Sequence, residues 1–259
     1  MPSLQNTLPT VAIIAGAWQN SENYEPLRQA LASKGYDTVC RSPPSVSLPH
    51  GDTDLEADAT FVHDQVLLPL IQEGKEVIVL MHSFAGVYGA CGTKGLAKSV
   101  RSAAGQQGGV IALVFLASPC VPSGVTTLGL MGIGEDLLPW VVLDKSTGLL
   151  TVPDPTPLLF HKLPADEASK WAAKMRHQAI KPMQSVVQYA PFEDDAYKGH
   201  IAYIRCRDDE MVHPPAQTKF IAVSGIQVTA ELPTSHMPWL EDADLTAETV
   251  IAMATKVRM

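Results

Sequence analysis

Glu76-Val-Ile-Val-Leu-Met-His-Ser-Phe-Ala-Gly86 is an apolar run that stops abruptly at a histidine and a serine and continues into small residues. An unbroken apolar run of this length predicts a strand covered on both faces, the kind found inside a parallel sheet. The small residues from Ala85 onward predict a tightly packed helix. A serine on a sharp turn between such a strand and such a helix reads as a nucleophile elbow. The usual form is G-x-S-x-G, whose small flanking residues let the backbone turn and present the hydroxyl. Here Met81 and Ala85 hold the flanking positions, and Gly86 follows at once. A serine after a strand is also a common helix N-cap, so the rest of the chain must supply its chemical partners.

Working outward, apolar runs at residues 11–15, 36–40, 110–117, 200–206 and 226–232 read as further strands. Helical spacing marks residues 24–34, closed by Gly35, and 52–73, closed by Gly74. Two more helices are expected near 215–223 and over 243–257. Strands and helices in alternation define an α/β class with a mostly parallel central sheet and helices on both faces. The alternation lapses between Pro119 and Pro191, where prolines, leucines, Trp140 and an amphipathic stretch over 164–177 gather. Long excursions are uncommon in compact domains unless they bind something. The reading is therefore one core domain, residues 1–120 and 191–259, with a mainly helical cap inserted at 121–190.

Composition narrows the partners. With 46% hydrophobic and 18% charged residues over 259 positions, the chain is globular and can bury a large core. Net charge is −8, and the basic cluster Lys94, Lys98, Arg101 has the spacing of one solvated helix face. Without a basic face or a stacking platform there is no case for nucleic acid. The four cysteines, Cys40, Cys91, Cys120 and Cys206, form no C-x-x-C pair, and three of them end apolar runs as buried free thiols do. No H-E-x-x-H or paired-cysteine spacing supports a metal, and no cofactor is expected. The start of the chain lacks the basic region of a signal peptide, and the apolar stretch 11–17 is too short to span a bilayer. A cytoplasmic protein with a small-molecule ligand and no membrane partner is the expectation. Nothing in the sequence fixes the oligomeric state.

The partners of Ser83 follow from chain order. Where a nucleophile elbow is used, an acid and then a histidine come later, each at the C-terminal end of a strand. Of the histidines after Ser83, His161 and His177 lie in the irregular segment, His200 begins a strand, and His213 sits beside Pro214. His236 follows the last strand and precedes the last helix, where a general base can reach the elbow. The acid comes from Cys206-Arg-Asp-Asp-Glu-Met-Val-His-Pro214. Asp208, Asp209 and Glu210 all qualify by chemistry; Asp209 is favoured because it lies deep enough in the turn to face the His236 loop. An oxyanion hole needs two preorganised N–H donors. Phe84 supplies one and Ala17, in the turn after the first strand, the other. Trp18 beside that turn, with Met131 and Trp140 from the excursion, are candidate pocket walls.

These segments together resemble the α/β-hydrolase superfamily, in a fungal branch related to plant methyl esterases and hydroxynitrile lyases. The resemblance rests on Gly16-Ala-Trp, Tyr24-Glu-Pro-Leu, Glu73-Gly-Lys-Glu-Val, His82-Ser-Phe-Ala-Gly, Gly108-Gly-Val, Leu163-Pro-Ala-Asp-Glu-Ala, Cys206-Arg-Asp-Asp and Ser235-His-Met-Pro. They span nearly the whole chain, in order. Two departures stand out: Ala15 replaces the histidine of the family's His-Gly oxyanion segment, and Ala85-Gly86 replaces Gly-Gly after the serine. The resemblance implies a serine hydrolase of ester or lactone type acting through Ser83, His236 and Asp209. Lyase or cyclase chemistry using the same residues as acid and base is the alternative, and a ligand receptor a third reading.

Overall fold

The computed structural model describes residues 8–134 and 137–259; the amino-terminal residues read above for a leader lie outside them. The described strands are β1 (Thr10–Ile14), β2 (Thr38–Arg41), β3 (Glu76–His82), β4 (Gly109–Leu116), β5 (Val142–Asp144), β6 (Leu149–Thr151), β7 (Gln178–Ala179), β8 (Ile201–Cys206) and β9 (Val228–Leu232). Six of them form one sheet in the order β2-β1-β3-β4-β8-β9, and every neighbouring pair is parallel. The strands read from the sequence are these six, with ends displaced by about two residues or less. They were legible because β1 and β4 are buried along their whole length and β3 along all but Glu76. A strand covered on both faces has no polar side to show.

From β1 the chain steps outward to β2, then crosses back to β3 on the other side of β1 and continues toward β9. Right-handed crossovers in opposite directions put their helices on opposite faces. Helix Glu25–Ser33 accordingly packs with the C-terminal helix Ala243–Val257, while helices Leu55–Phe61 and Ala85–Cys91 pack together across the sheet. The reversal opens a crevice outside the C-terminal ends of β1 and β3, where open α/β sheets bind ligands. No helix among the described residues is long and apolar enough to cross a membrane.

The helix expected over 52–73 begins at Leu55, where the Asp54 carboxylate caps Ala57 N–H at 2.9 Å. It runs in π register over Val62–Leu67 just before Pro69, which has no N–H to give to an α-helical acceptor. On this helix Asp58 is fully buried and accepts from Ser45 N–H at 2.9 Å. Burial pushes its carboxyl up to about 7. An unfolded aspartate titrates near 4, so between about pH 4 and pH 7 the native state holds a proton that the unfolded chain has lost. Stability is then fully present below the unfolded value and declines as pH rises through the native one, by up to about 4 kcal/mol. The urea midpoint should fall over this window, and Asp58→Asn should flatten the fall.

The excursion over 121–190 holds the short helices Thr127–Met131, Ala165–Ala172 and Lys181–Gln184 and a π turn at Thr156–Phe160. It also holds a small antiparallel sheet, β5-β6-β7, that the sequence reading missed. Strands of three, three and two residues are too short to show alternation. The β5–β6 turn is closed by the Asp144 carboxylate, which accepts from Ser146 N–H at 2.9 Å, and by Gly148 at φ 71°.

Candidate active site

β3 ends at His82, and Ser83 turns into the left-handed region at φ 53°. Outside glycine this conformation persists only where the surroundings enforce it. Ser83 N–H donates to Leu116 O of β4 at 3.0 Å, and Ser118 Oγ donates to Ser83 O at 2.5 Å. Gly86 is the glycine this elbow cannot lose: a Cβ there would lie 2.0 Å from Ser118 Oγ and 2.5 Å from Pro119 O. Ala85 is buried without such a clash, so the shift from Gly-Gly to Ala-Gly leaves the tight approach intact. Trp18 (φ 60°) and Ala117 (φ 46°) are the other non-glycine residues with left-handed backbone among the described residues. Ser83 and Ala117 directly follow β3 and β4, and Trp18 lies in the turn after β1.

The turn after β1 lies against the elbow. A Cβ on Gly16 would come within 2.9 Å of Ser83 Cβ, so the close approach requires glycine. Tyr88 Oη donates to Ala15 O, and Gly16 N–H donates to Tyr24 Oη at 2.8 Å. These two buried tyrosines brace the segment in which Ala15 stands for the family's histidine. The N–H groups of Ala17 and Phe84 have no acceptor among the described residues. They are the two sequence-predicted oxyanion donors.

Beyond β8, Asp209 is 1% exposed and its carboxylate is heavily bonded. Oδ1 accepts from Met211 and Val212 N–H, both at 2.8 Å, and Oδ2 accepts from Gln217 Nε2 at 3.3 Å. Oδ2 also lies 2.7 Å from His236 Nδ1. Asp208 points the other way, to Arg207 and to Lys162 of the excursion, whose cations hold its carboxyl down at about 2. Glu210 faces solvent and lies 3.6 Å from His213. Of the three candidate acids, the structure brings Asp209 to the histidine. His236 itself is buried in the loop after β9, and Asp208 N–H donates to Thr234 O at 3.0 Å, tying the acid and histidine loops together. Among the described residues no hydrogen bond joins Ser83 Oγ to His236, and His236 Nε2 has no protein partner. Such contacts often tighten only when substrate is bound.

A cavity lies at Ser83, lined by Ala17, Trp18 and Phe84 from the core and by Leu128, Met131, Leu138, Trp140 and Leu150 from the excursion. Trp18 and Trp140 meet edge to face at 6.1 Å between centroids, and Trp18 Nε1 donates to Leu150 O at 3.1 Å. All three sequence-predicted wall residues line it. Sequence reasoning missed Met183, Met211 and Val212, which also line it. The last two sit in the acid turn, and that position was the available signal. Ser83 and Thr127 are the polar residues among its lining.

An elbow serine, an acid–histidine pair and two open N–H groups at a parallel-sheet crevice define a class, and the sequence places the chain in it. The family model described as the alpha/beta hydrolase family matches residues 11–249, and the protein belongs to that family. An α/β hydrolase of Aspergillus novofumigatus (strain IBT 16806), nvfD, is 22% identical over 242 residues, covering 92% of this chain and 93% of the relative. Among solved structures, a pyrethroid hydrolase from Sphingobium faniae JZ-2 superposes with TM-score 0.73 at 18% identity over 95% of this chain and 97% of that one. The methylesterase MES16 from Arabidopsis does so with TM-score 0.68 at 16% identity, over 95% and 99%. At these identities the structural likeness establishes the fold.

Proposed function

We propose that the protein is a serine hydrolase that cleaves an ester, lactone or related carbonyl bond of a moderately hydrophobic small molecule through an acyl-enzyme. The observation that carries this reading is the buried 2.7 Å contact between Asp209 and His236, whose loop is bonded through its backbone carbonyl to His82, the residue before a serine held at φ 53°. Asp209 accepts a hydrogen bond from Nδ1–H, which leaves the Nε2 lone pair of His236 to face the reaction. His236 takes the Ser83 proton as Oγ attacks the carbonyl carbon, and the N–H groups of Ala17 and Phe84 hold the oxyanion. His236 then protonates the departing alkoxide. Water, deprotonated in turn by His236, attacks the acyl carbon and returns Ser83 with its proton. No metal or cofactor enters these steps.

The excursion acts as the cap in this reading. Met131 and Trp140 line the cavity with Ser83 and Trp18 and give the substrate an apolar seat. Intact-protein mass spectrometry on samples quenched during turnover of p-nitrophenyl butyrate tests the mechanism. An acyl adduct on Ser83 and a burst of p-nitrophenol are expected. Turnover with no adduct at any quench time would instead assign the residues to acid–base chemistry without an acyl-enzyme.

A further inference from the structure

His82, the residue before the serine, enters none of the steps above, yet it is fully buried and bonded at both ring nitrogens. Nδ1 lies 2.8 Å from Tyr24 Oη, and Nε2 lies 2.9 Å from the backbone carbonyl of His236. A carbonyl oxygen only accepts, so Nε2 carries the proton. A neutral ring then has a lone pair on Nδ1, which accepts a hydrogen bond from the Tyr24 hydroxyl. The tyrosine oxygen accepts in turn from Gly16 N–H at 2.8 Å. The chain of donors therefore runs Gly16, Tyr24, His82, with His82 also donating to His236.

Each end of this chain adjoins a working group. Gly16 precedes Ala17, His82 precedes Ser83, and the final acceptor is the backbone of His236. The groups facing the His82 ring are Tyr24, His236 at 4.7 Å between centroids and Trp239 at 4.8 Å. Among the described residues no carboxylate touches it. Burial, and next the neighbouring His236, hold its pKa well below the usual imidazole value. A second proton would find no anion here.

We propose that His82 is a positioning residue: as a neutral imidazole protonated on Nε2, it locks the oxyanion turn, the elbow and the His236 loop into one register through Tyr24. The proposal rests on the serine-hydrolase reading for its kinetic consequence but not for its tautomer. Tyr24→Phe removes the middle of the chain and leaves Gly16 N–H and His82 Nδ1 unpaired. With p-nitrophenyl butyrate, kcat should fall about 100-fold while KM moves by less than about fivefold, because donors displaced by an ångström still admit substrate. His82→Leu should do the same. His82→Gln, whose amide can donate to the His236 carbonyl, should recover to within about tenfold of the parent. A merely structural role predicts no such recovery and no split between kcat and KM.

Imidazole 15N spectra of the unaltered protein supply a readout free of activity. Across about pH 5 to pH 8, where an ordinary histidine titrates, His82 should keep an unprotonated Nδ1 and a protonated Nε2. A titrating or Nδ1-protonated His82 overturns the proposal, as do Tyr24→Phe and His82→Leu variants that fold and turn over like the parent. If a variant fails to fold, the 15N assignment decides. If the parent hydrolyses no ester while the tautomer is as stated, the hydrolase reading fails and the positioning network stands.

Discussion

Ser83→Ala is expected to fold normally and to lose about 10⁶-fold in kcat toward any ester the protein accepts, the scale seen when the serine of such a triad is removed. The size follows from what the side chain does. On the serine-hydrolase reading the nucleophile has no substitute in the cavity: Thr127 is the other hydroxyl-bearing residue of the lining, and its buried hydroxyl has no hydrogen-bond partner, histidine or other, among the described residues. What remains is binding and the two N–H donors, which in comparable sites leave about 10³–10⁴-fold over water. Alanine is smaller than serine and makes the left-handed turn no harder, so the thermal midpoint should stay close to that of the parent. Steady-state kinetics with a limit set by the blank reaction checks the first claim and calorimetry the second. An alanine variant as active as the parent would remove Ser83 from the mechanism altogether.

The second large effect belongs to the acid. Asp209→Asn keeps the shape of the side chain but turns an acceptor for the Nδ1 proton into an amide that can donate, favouring the wrong histidine tautomer. A loss of about 10⁴-fold in kcat is expected. Asp208→Asn is the control, since that carboxylate pairs with Arg207 and Lys162 rather than with histidine; its effect on kcat should stay within about tenfold. Comparing the neighbours isolates the pair at 2.7 Å from the general acidity of the turn. If both variants lost the same activity, the turn's charge and not its contact with His236 would be the agent.

The strands and the serine were readable because each is dictated locally. A row of apolar residues ending in His-Ser and small residues has few other structures open to it, and chain order then restricts where an acid and a base can lie. The choice between Asp208 and Asp209 is different in kind. It turns on Lys162, 46 residues away, drawing one carboxylate outward, and on the N–H groups of Met211 and Val212 holding the other inward. No local pattern encodes either. Tyr24 likewise reads as the start of a helix, and its hydroxyl finds Gly16 and His82 only after the sheet has formed. The β5-β6-β7 sheet was invisible because such short pieces gain their identity from one another, not from their own sequence.

Trp18, Ser83 and Ala117 give the sheet a second job. Residues held off their preferred backbone cost about 1–3 kcal/mol each, so the three together rival the net stability of an ordinary domain, about 5–15 kcal/mol. The rim of the crevice is in effect a set of loaded springs clamped by β1, β3 and β4, and they release when the clamp loosens. Damage to the rigid centre of this molecule should therefore register first at its working edge, as lost activity while the rest of the fold is still standing.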